Sequence, residues 1–191
     1  MSDITVTVLA EGAIRKECGC ILEAHSTSTL IEDGNFKIVV DTSSREYREK
    51  ILARLKELGI RCDEIDVVVI THLHHDHCSN NDLFVNAQFI AHVAENPPSH
   101  YRVIDENHKL SPSVEIVHTP GHTPGSASVF VNASSKTAIT GDALPTRDNY
   151  IRWIPPGINY DYSLSLHSMK RIVEFANVVV PGHDRPFHID R

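Results

Sequence analysis

Residues 71–77, Thr-His-Leu-His-His-Asp-His, hold the densest group of potential metal ligands in a chain that contains 13 histidines. Imidazole nitrogen and carboxylate oxygen both bind zinc well. In an extended loop, alternate residues point the same way and neighbours diverge, so one short segment can serve two adjacent ions. The spacing therefore predicts His72 and His74 as ligands of one metal ion, and Asp76 and His77 as ligands of another.

Three further candidate ligands each follow a glycine. They are His122, Asp142 and His183. Glycine allows the backbone to turn tightly beside a site. Asp41 ends the segment 36–40, where its side chain is a candidate for capping the turn before the next helix. Since the candidate ligands are all nitrogen or oxygen donors, zinc is the expected metal, with iron or manganese as alternatives.

The order and spacing of these residues resemble the metallo-beta-lactamase superfamily. The matching residues are His72, His74, Asp76, His77, His122, Asp142 and His183. The resemblance extends over nearly the whole chain. It implies an α/β fold, the four-layered αββα sandwich of the metallo-beta-lactamase type, with the site along one edge of the packed sheets. Residues 1–191 are accordingly expected to form a single metallo-beta-lactamase-like hydrolase domain.

The resemblance also implies how the ligands are shared between two divalent ions. The first ion takes His72, His74 and His122, and the second takes Asp76, His77 and His183. Asp142 would bridge both ions, Asp41 would orient a ligand, and Asp76 would orient the attacking water or accept its proton. Two metal ions about 3.5–4 Å apart lower the pKa of a water between them, so that hydroxide can attack a substrate near neutral pH.

Residues 78–84, Cys-Ser-Asn-Asn-Asp-Leu-Phe, depart from the small residue and paired glycines with which many family members continue the histidine loop. An Asn followed by Leu-Phe, and the ending at 178–187, resemble the subgroup that contains metallo-beta-lactamase domain-containing protein 1. Cys78 itself is expected to pack as a small apolar residue rather than to bind metal.

Hydrophobic patterns predict the elements that position the ligands. Strands are predicted at 4–9, 29–31, 36–40, 67–70, 87–92, 114–118, 127–132, 136–140 and 178–180, and helices at 44–58 and 162–176. The segment at 33–35, Asp-Gly-Asn, predicts a hairpin turn. Chemistry often lies just beyond the carboxyl end of a buried strand, which is where the histidine loop begins.

Charge and composition narrow the choice of partners. A net charge of -7 does not favour general nucleic-acid binding, which depends on clustered basic residues. No apolar run reaches the roughly 20 residues that span a membrane, so no membrane association is expected. The N-terminus lacks the pattern of a signal peptide, and the expected location is the cytoplasm.

The substrate is the least determined part of the interpretation. A small ester, thioester or lactone is favoured, and an endoribonuclease that cleaves single-stranded RNA is the alternative. The loop 143–160 is rich in proline, arginine and aromatic residues. With Arg185, it is expected to bind an anionic group or to act as an ordinary lid. A homodimer contact through this loop is also compatible with its aromatic residues. Tyr150 and His188 are candidate proton donors for the leaving group.

Two other functional classes are less favoured. A di-iron redox protein of this fold usually has a glutamate where His74 stands and carries a flavin domain. A non-catalytic metal-binding protein would not need to keep a full set of seven ligands.

Overall fold

The computed structural model describes residues 4–18 and 20–190. Its strands are β1 Ile4–Ala10, β2 Ala13–Glu17, β3 Cys20–His25, β4 Ser28–Asp33, β5 Phe36–Val40, β6 Val67–Val69, β7 Gln88–His92, β8 Arg102–Ile104, β9 His108–Lys109, β10 Val114–His118, β11 Ala127–Asn132, β12 Lys136–Ile139, β13 Val178–Val180 and β14 Phe187–His188. Its α-helices are α1 Arg48–Glu57, α2 His75–Cys78, α3 Arg147–Arg152 and α4 Tyr162–Phe175. Within the described ranges, no helix is both long and apolar enough to cross a membrane.

Two six-stranded sheets and one separate hairpin make up the β-structure. The first sheet has the order β1-β4-β5-β6-β7-β8, and its strands are parallel from β5 to β8. The second has the order β14-β13-β12-β11-β10-β9, with β12 and β13 parallel. The strands β2 and β3 form the hairpin. Parallel neighbours end at the same edge of a sheet, so the loops that follow them are brought together there.

The central strands bury side chains on both faces. In β4, Leu30 belongs to an apolar cluster with the α1 residue Ile51, whereas Ile31 belongs to a cluster that includes Val129 of the second sheet. Met169 of α4 packs in a third cluster against the outer face of the second sheet. Burying a side chain of this size contributes about 1.5–3 kcal/mol. The layers therefore run helix, sheet, sheet, helix, and the predicted αββα sandwich is confirmed.

The longest sequence patterns correspond to elements of the structure. The predicted hairpin at 33–35 joins β4 and β5, and Gly34 in its turn has a positive φ of 63°. The helix predicted at 44–58 is a 3-10 turn followed by α1. The helix predicted at 162–176 is α4, and its first turn is capped because the Asp161 side chain accepts a hydrogen bond from the Leu164 N–H at 2.9 Å.

Other elements do not follow from any sequence pattern. The β2–β3 hairpin is largely exposed and shows no apolar alternation. The edge strands β8, β9 and β14 have only two or three residues each, which is too short for a period to be recognised. The loop predicted at 143–160 contains α3, a six-residue helix whose start is capped by the Thr146 hydroxyl. These elements depend on tertiary contacts and capping rather than on a hydrophobic period.

The conformation of the histidine segment differs from the extended loop that the spacing suggested. His74 is still extended, but α2 begins at His75, and the His77 N–H donates to the His74 carbonyl at 2.9 Å. The alternation argument was therefore wrong for Asp76 and His77, which are consecutive residues of a helical turn about 100° apart around its axis. The two side chains therefore still point in different directions, though by a smaller angle than in a strand. His77 lies in the buried core.

Gly121 lies where the loop after β10 touches the start of α4. Its φ is 136°, and a Cβ at this position would overlap the backbone of Ser165. Its carbonyl oxygen accepts hydrogen bonds from the backbone N–H groups of Tyr160 at 2.7 Å and Asp161 at 3.0 Å. Glycine is required here because other residues rarely adopt a φ of 136° and because Ser165 already fills the space that a Cβ would need.

Gly121→Ala is expected to lower the free energy of unfolding by about 2–4 kcal/mol, since it combines steric overlap with an unfavourable φ. Chemical denaturation followed by circular dichroism would measure this. Gly157→Ala is the matched control, because a Cβ there meets no atom within 4 Å and its φ is not positive. The control should stay within about 1 kcal/mol of the parent. Equal losses in both variants would contradict the packing argument.

Candidate metal centre

The seven candidate ligands lie on loops at one edge of the sandwich, and we call them the ligand cluster. His72 and His74 follow β6, Asp76 and His77 lie in α2, His122 follows β10, Asp142 follows β12, and His183 follows β13. Backbone hydrogen bonds join these loops, one between the two sheets and one within the second sheet. The Ala127 N–H donates to Thr71 O at 2.9 Å, and the Gly182 N–H donates to Gly141 O at 3.1 Å.

His72, His74 and His122 form the first group of the cluster. His122 Nε2 lies 3.2 Å from His72 Nε2 and 3.0 Å from His74 Nδ1. His72 Nε2 lies 3.0 Å from His74 Nδ1. Three nitrogen atoms at these mutual distances are nearly as far apart as three ligands of one tetrahedral zinc ion.

Asp76, His77 and His183 form the second group. His183 Nε2 lies 3.4 Å from Asp76 Oδ2, and His77 Nε2 lies 3.9 Å from the same oxygen. Both histidines are buried, whereas the Asp76 side chain is 23% exposed. The second group thus offers two imidazoles from the interior and one carboxylate that solvent can reach.

Asp142 lies between the two groups. Its Oδ1 is 3.4 Å from His77 Nε2 and 3.2 Å from His183 Nε2, while its Oδ2 is 3.5 Å from His122 Nε2. The two oxygens of one carboxylate therefore face different groups. This is the arrangement that a bridging ligand needs.

Four of the imidazoles have a fixed orientation because their Nδ1 atom meets a partner outside the cluster. The pairs are His72 with Thr71 Oγ1 at 3.2 Å, His77 with Asp41 Oδ2 at 2.7 Å, His122 with the Ile158 carbonyl at 2.7 Å, and His183 with the His25 carbonyl at 3.0 Å. A carbonyl oxygen can only accept, so Nδ1 of His122 and of His183 carries a proton. Their Nε2 lone pairs are then directed into the cluster, as metal-binding imidazoles require.

Two buried atoms of the cluster are left without a hydrogen bond to any described residue. They are His77 Nε2 and Asp142 Oδ1. A buried polar atom without a partner costs about 1–3 kcal/mol. Both atoms face the other ligands, and a cation among them would satisfy both at once. The residues present therefore fit divalent metal ions, and the all-nitrogen and oxygen donor set is compatible with zinc, iron or manganese.

The electrostatics of the cluster favour positive charge near Asp142. Burial lowers the pKa of His77, but the Asp41 and Asp142 carboxylates outweigh burial and raise that pKa well above its ordinary value. Burial raises the pKa of Asp142, yet His183 and His77 hold it well below its ordinary value. By contrast, burial and the neighbouring His77 lower the pKa of His72. The raised pKa values of His77 and His183 mean that protons compete with metal ions for these two imidazoles.

The Asp41 carboxylate contacts two residues of the histidine segment, Thr71 and His77. Its Oδ1 accepts from the Thr71 N–H at 2.8 Å, and its Oδ2 accepts from the Thr71 hydroxyl at 2.8 Å and lies 2.7 Å from His77 Nδ1. The Asp41 side chain is buried and makes these contacts rather than capping the turn before α1. It is therefore in a position to orient His77, which is the role that the family resemblance implies.

Glu95 connects the two loops of the first group, and no sequence pattern points to it. Its Oε2 accepts from the Leu73 N–H at 3.0 Å, between His72 and His74. Its Oε1 accepts from the Thr123 hydroxyl at 2.5 Å and from the Gly125 N–H at 3.0 Å, just after His122. Because all three partners are reached through tertiary contact, and two of them are backbone groups, only the structure reveals this residue.

A cavity opens onto the cluster from solvent. It is lined by Ile14, Lys16, Ile21, His122, Asp142, Pro145, Pro156, Gly157, Ile158 and His183. One wall comes from the β2–β3 hairpin and another from residues 156–158. Apart from the ligands, Lys16 is the one charged side chain among these lining residues.

Several residues considered from sequence lie elsewhere. Arg147, Arg152 and Arg185 do not line this cavity, and Arg152 pairs with Asp148 at 3.3 Å. Neither candidate proton donor, Tyr150 or His188, lines the cavity. Tyr150 instead stacks on Phe187, with the ring centroids 5.5 Å apart. The arginines therefore do not face this cavity, and the cation available there to an anionic group of a substrate is Lys16.

Cys78 belongs to the apolar surroundings of the first core cluster. Burial raises the pKa of its thiol to about 11. A thiol with this pKa stays protonated near neutral pH, and it does not belong to any of the ligand groups among the described residues.

Comparison with known proteins gives the same family as the ligand order. The family model described as metallo-beta-lactamase superfamily matches residues 23–102 and 101–183. A probable metallo-hydrolase of Methanocaldococcus jannaschii is 39% identical over 188 residues, which cover 96% of this chain and 89% of that protein. An N-acyl homoserine lactonase of a Bacillus species is 30% identical over 157 residues, or 71% of this chain and 62% of the lactonase.

One further relative matches the subgroup resemblance, and one solved structure matches the fold. Metallo-beta-lactamase domain-containing protein 1 of Xenopus laevis is 28% identical over 193 residues, which cover 97% of this chain and 82% of that protein. The crystal structure of a metallo-beta-lactamase-type protein from Thermotoga maritima superposes with a TM-score of 0.80 at 23% identity, over 98% of this chain and 100% of the other. The predictions of the superfamily and of a metal-dependent hydrolase are thereby confirmed.

Glu95→Gln tests whether Glu95 positions the first group. The amide replaces one acceptor oxygen by a donor, which then faces an N–H or hydroxyl donor. We expect the affinity for the zinc ion held by this first group to fall by about 10–100-fold, as for other partners that orient ligands. Competition with a chromogenic chelator would measure it.

Glu49→Gln is the matched control, because Glu49 is an exposed residue of α1 outside the cluster. Both variants should keep the far-ultraviolet circular dichroism of the parent. Unchanged zinc affinity in Glu95→Gln would show that the two loops hold their positions without this carboxylate.

Proposed function

The chain belongs to the metallo-beta-lactamase superfamily, and from this we propose that it is a dinuclear zinc hydrolase of small lactones, esters or thioesters. The observation that carries the proposal is the cavity that joins the ligand cluster to solvent. Its bottom holds His122, Asp142 and His183, and its walls hold apolar side chains such as Ile14 and Ile158. A small acyl compound has the matching chemistry, with a polar carbonyl at one end and apolar groups beside it.

The ligand cluster divides naturally between two ions. His72, His74 and His122 would hold the first, and Asp76, His77 and His183 would hold the second. Asp142 would contact both, since its two oxygens face different groups. Two bound divalent ions would polarise the substrate carbonyl and lower the pKa of a nearby water, which makes a nucleophile available near neutral pH.

The protein's own residues supply the rest. Asp76 is the more exposed carboxylate of the cluster, with 23% of its side chain accessible against 12% for Asp142. It is therefore the one suited to accept the proton that the attacking water loses and to return it to the leaving group. The apolar walls orient the acyl part of the substrate and limit the access of competing water.

Two observations favour a small substrate over RNA. The lactonase relative supports lactone or ester chemistry, because its name describes hydrolysis of a small cyclic ester. RNA would require basic side chains along its backbone. Lys16 is a single cation at the cavity, and the three arginines lie outside its lining.

The chain should bind two zinc equivalents and release protons as it does so. His77 and His183 have raised pKa values because of the nearby carboxylates, so protons compete with metal ions for these two imidazoles. Binding should consequently weaken as the pH falls below 7. Metal analysis after dialysis would give the stoichiometry, and calorimetry in buffers of different ionisation enthalpy would count the protons. A single equivalent at saturation would contradict the dinuclear site.

The zinc-loaded chain should hydrolyse at least one of N-hexanoyl homoserine lactone, an aryl ester and an acyl thioester. Asp142→Ala should lower kcat/KM by about a hundredfold or more, since the group removed would hold both ions in place, and the ions would stabilise the negative charge that develops in the transition state. Turnover followed with a pH indicator or by absorbance would give kcat/KM for the parent and for the variant.

Asp190→Ala serves as the matched control, because Asp190 is exposed and outside the cluster. End-labelled single-stranded RNA is incubated in parallel. Cleavage of RNA that depends on Asp142, without turnover of any small substrate, would overturn this proposal in favour of a nuclease.

A further inference from the structure

The β2–β3 hairpin contributes three side chains to the cavity: Ile14, Lys16 and Ile21. Ile14 and Lys16 are two residues apart on β2, so both point to the same side of the hairpin. The intervening residue Arg15 lies on the opposite side and pairs with Glu23 at 2.7 Å. The inner face of the hairpin is therefore apolar except for one ammonium group.

A β-bulge sets the position of Lys16. The pairing register shifts between Arg15 and Lys16, so that Arg15 lies opposite Glu23 but Lys16 lies opposite Ile21. Leu22 is the extra residue, and it is left 47% exposed. Bulges commonly re-aim side chains beside active sites. Here the shift places Ile21 rather than Leu22 across from Lys16, and both line the cavity.

Lys16 lacks the partner that a structural lysine usually has. It makes no ion pair and no side-chain hydrogen bond with any residue in the described ranges 4–18 and 20–190, whereas the neighbouring Arg15 does. Its methylene stem can lie along the apolar wall of Ile14 and Ile21 while the ammonium remains hydrated. An unpaired cation on an apolar wall is available to a ligand without first breaking a protein contact.

We propose that Lys16 determines specificity by binding a carboxylate of the substrate, remote from the carbonyl that is attacked. This inference rests on the proposed function, because it assigns the substrate class of the same site. The substrate is then an ester, thioester or lactone with an anionic tail, and its product is a dicarboxylate. One carboxylate of that product lies at the ligand cluster and the other at Lys16.

The cluster explains why the tail has to be recognised at a separate point. With two divalent ions, the four positive charges exceed the two negative charges of Asp76 and Asp142, so the bottom of the cavity would attract any carboxylate. A second cation at the rim, separated by apolar walls, favours molecules that carry a second anionic group at a matching distance. A neutral acyl chain gains the apolar contacts but not the contact with Lys16.

Binding of product-like acids to the zinc-loaded full chain gives a test that does not need turnover. Succinate, glutarate and adipate are compared by calorimetry with butyrate, valerate and hexanoate, respectively, which have the same numbers of carbon atoms. At least one dicarboxylate should bind about tenfold more tightly than its monocarboxylate, the usual contribution of one charge-assisted contact. Lys16→Met should remove this preference, and Lys16→Arg should keep most of it.

Lys109→Met is the matched control, since Lys109 is an exposed lysine on β9 and does not line the cavity. It should leave the preference unchanged. All variants should retain the zinc content of the parent, because Lys16 is exposed and outside the ligand cluster. A dicarboxylate preference that persists in Lys16→Met, or no preference in the parent, would overturn the assignment.

Turnover separates this proposal from the hydrolase itself. Mono-4-nitrophenyl glutarate and 4-nitrophenyl valerate have the same leaving group but differ in the tail carboxylate. Lys16→Met should raise KM for the glutarate ester about tenfold, with little change in kcat and little effect on the valerate ester. If the parent hydrolyses both esters but binds dicarboxylates no more tightly than monocarboxylates, only the role of Lys16 is refuted. No hydrolysis by the parent, with the dicarboxylate preference intact, would refute the ester chemistry and keep the anion site.

Discussion

The burial of one carboxylate, that of Asp142, is the constraint on which the rest of the site depends. A carboxylate removed from water is costly unless positive charge and hydrogen-bond donors surround it. Here the surroundings are the imidazoles of His77, His122 and His183, at 3.2–3.5 Å. The remaining charge can be balanced by protons or by metal ions, and these compete for the same nitrogen atoms. The site is thus built to exchange protons for cations.

The scaffold meets this constraint by bringing strand ends together. β12 and β13 are parallel neighbours, so Asp142 and His183 leave the same edge of the second sheet. Gly182 allows their two loops to approach, since a Cβ there would overlap Asp142 Oδ1 and the Gly141 carbonyl. The apolar contact between the two sheets then fixes this edge against the loop after β6. The arrangement of the candidate ligands is a consequence of sheet packing rather than of any one loop.

The sequence was sufficient to predict the residues of the ligand cluster, which the structure brings together, but not the residues that position or surround them. Histidine and aspartate at 72, 74, 76 and 77 form a local pattern, and chemistry restricts what such a pattern can do. Strands that are buried on both faces are also recognisable from their continuous apolar, β-branched sequences. These strands form the centre of the sheets. Glu95 and Lys16 could not be found in this way. Glu95 acts largely through backbone N–H groups, which every residue has, and Lys16 depends on a bulge in an exposed hairpin with no hydrophobic period.

This division has a physical origin that bears on specificity. The ligand cluster is formed by rigid, buried strand ends, where a change in one side chain disturbs several neighbours and the charge balance around Asp142. The β2–β3 hairpin is a separate two-stranded unit with mostly exposed residues, so its side chains can change at little cost in stability. The residues proposed for the reaction and those proposed for substrate specificity therefore lie in separate parts of the fold. A change confined to this wall can therefore alter which molecules fit the site while the cluster stays the same.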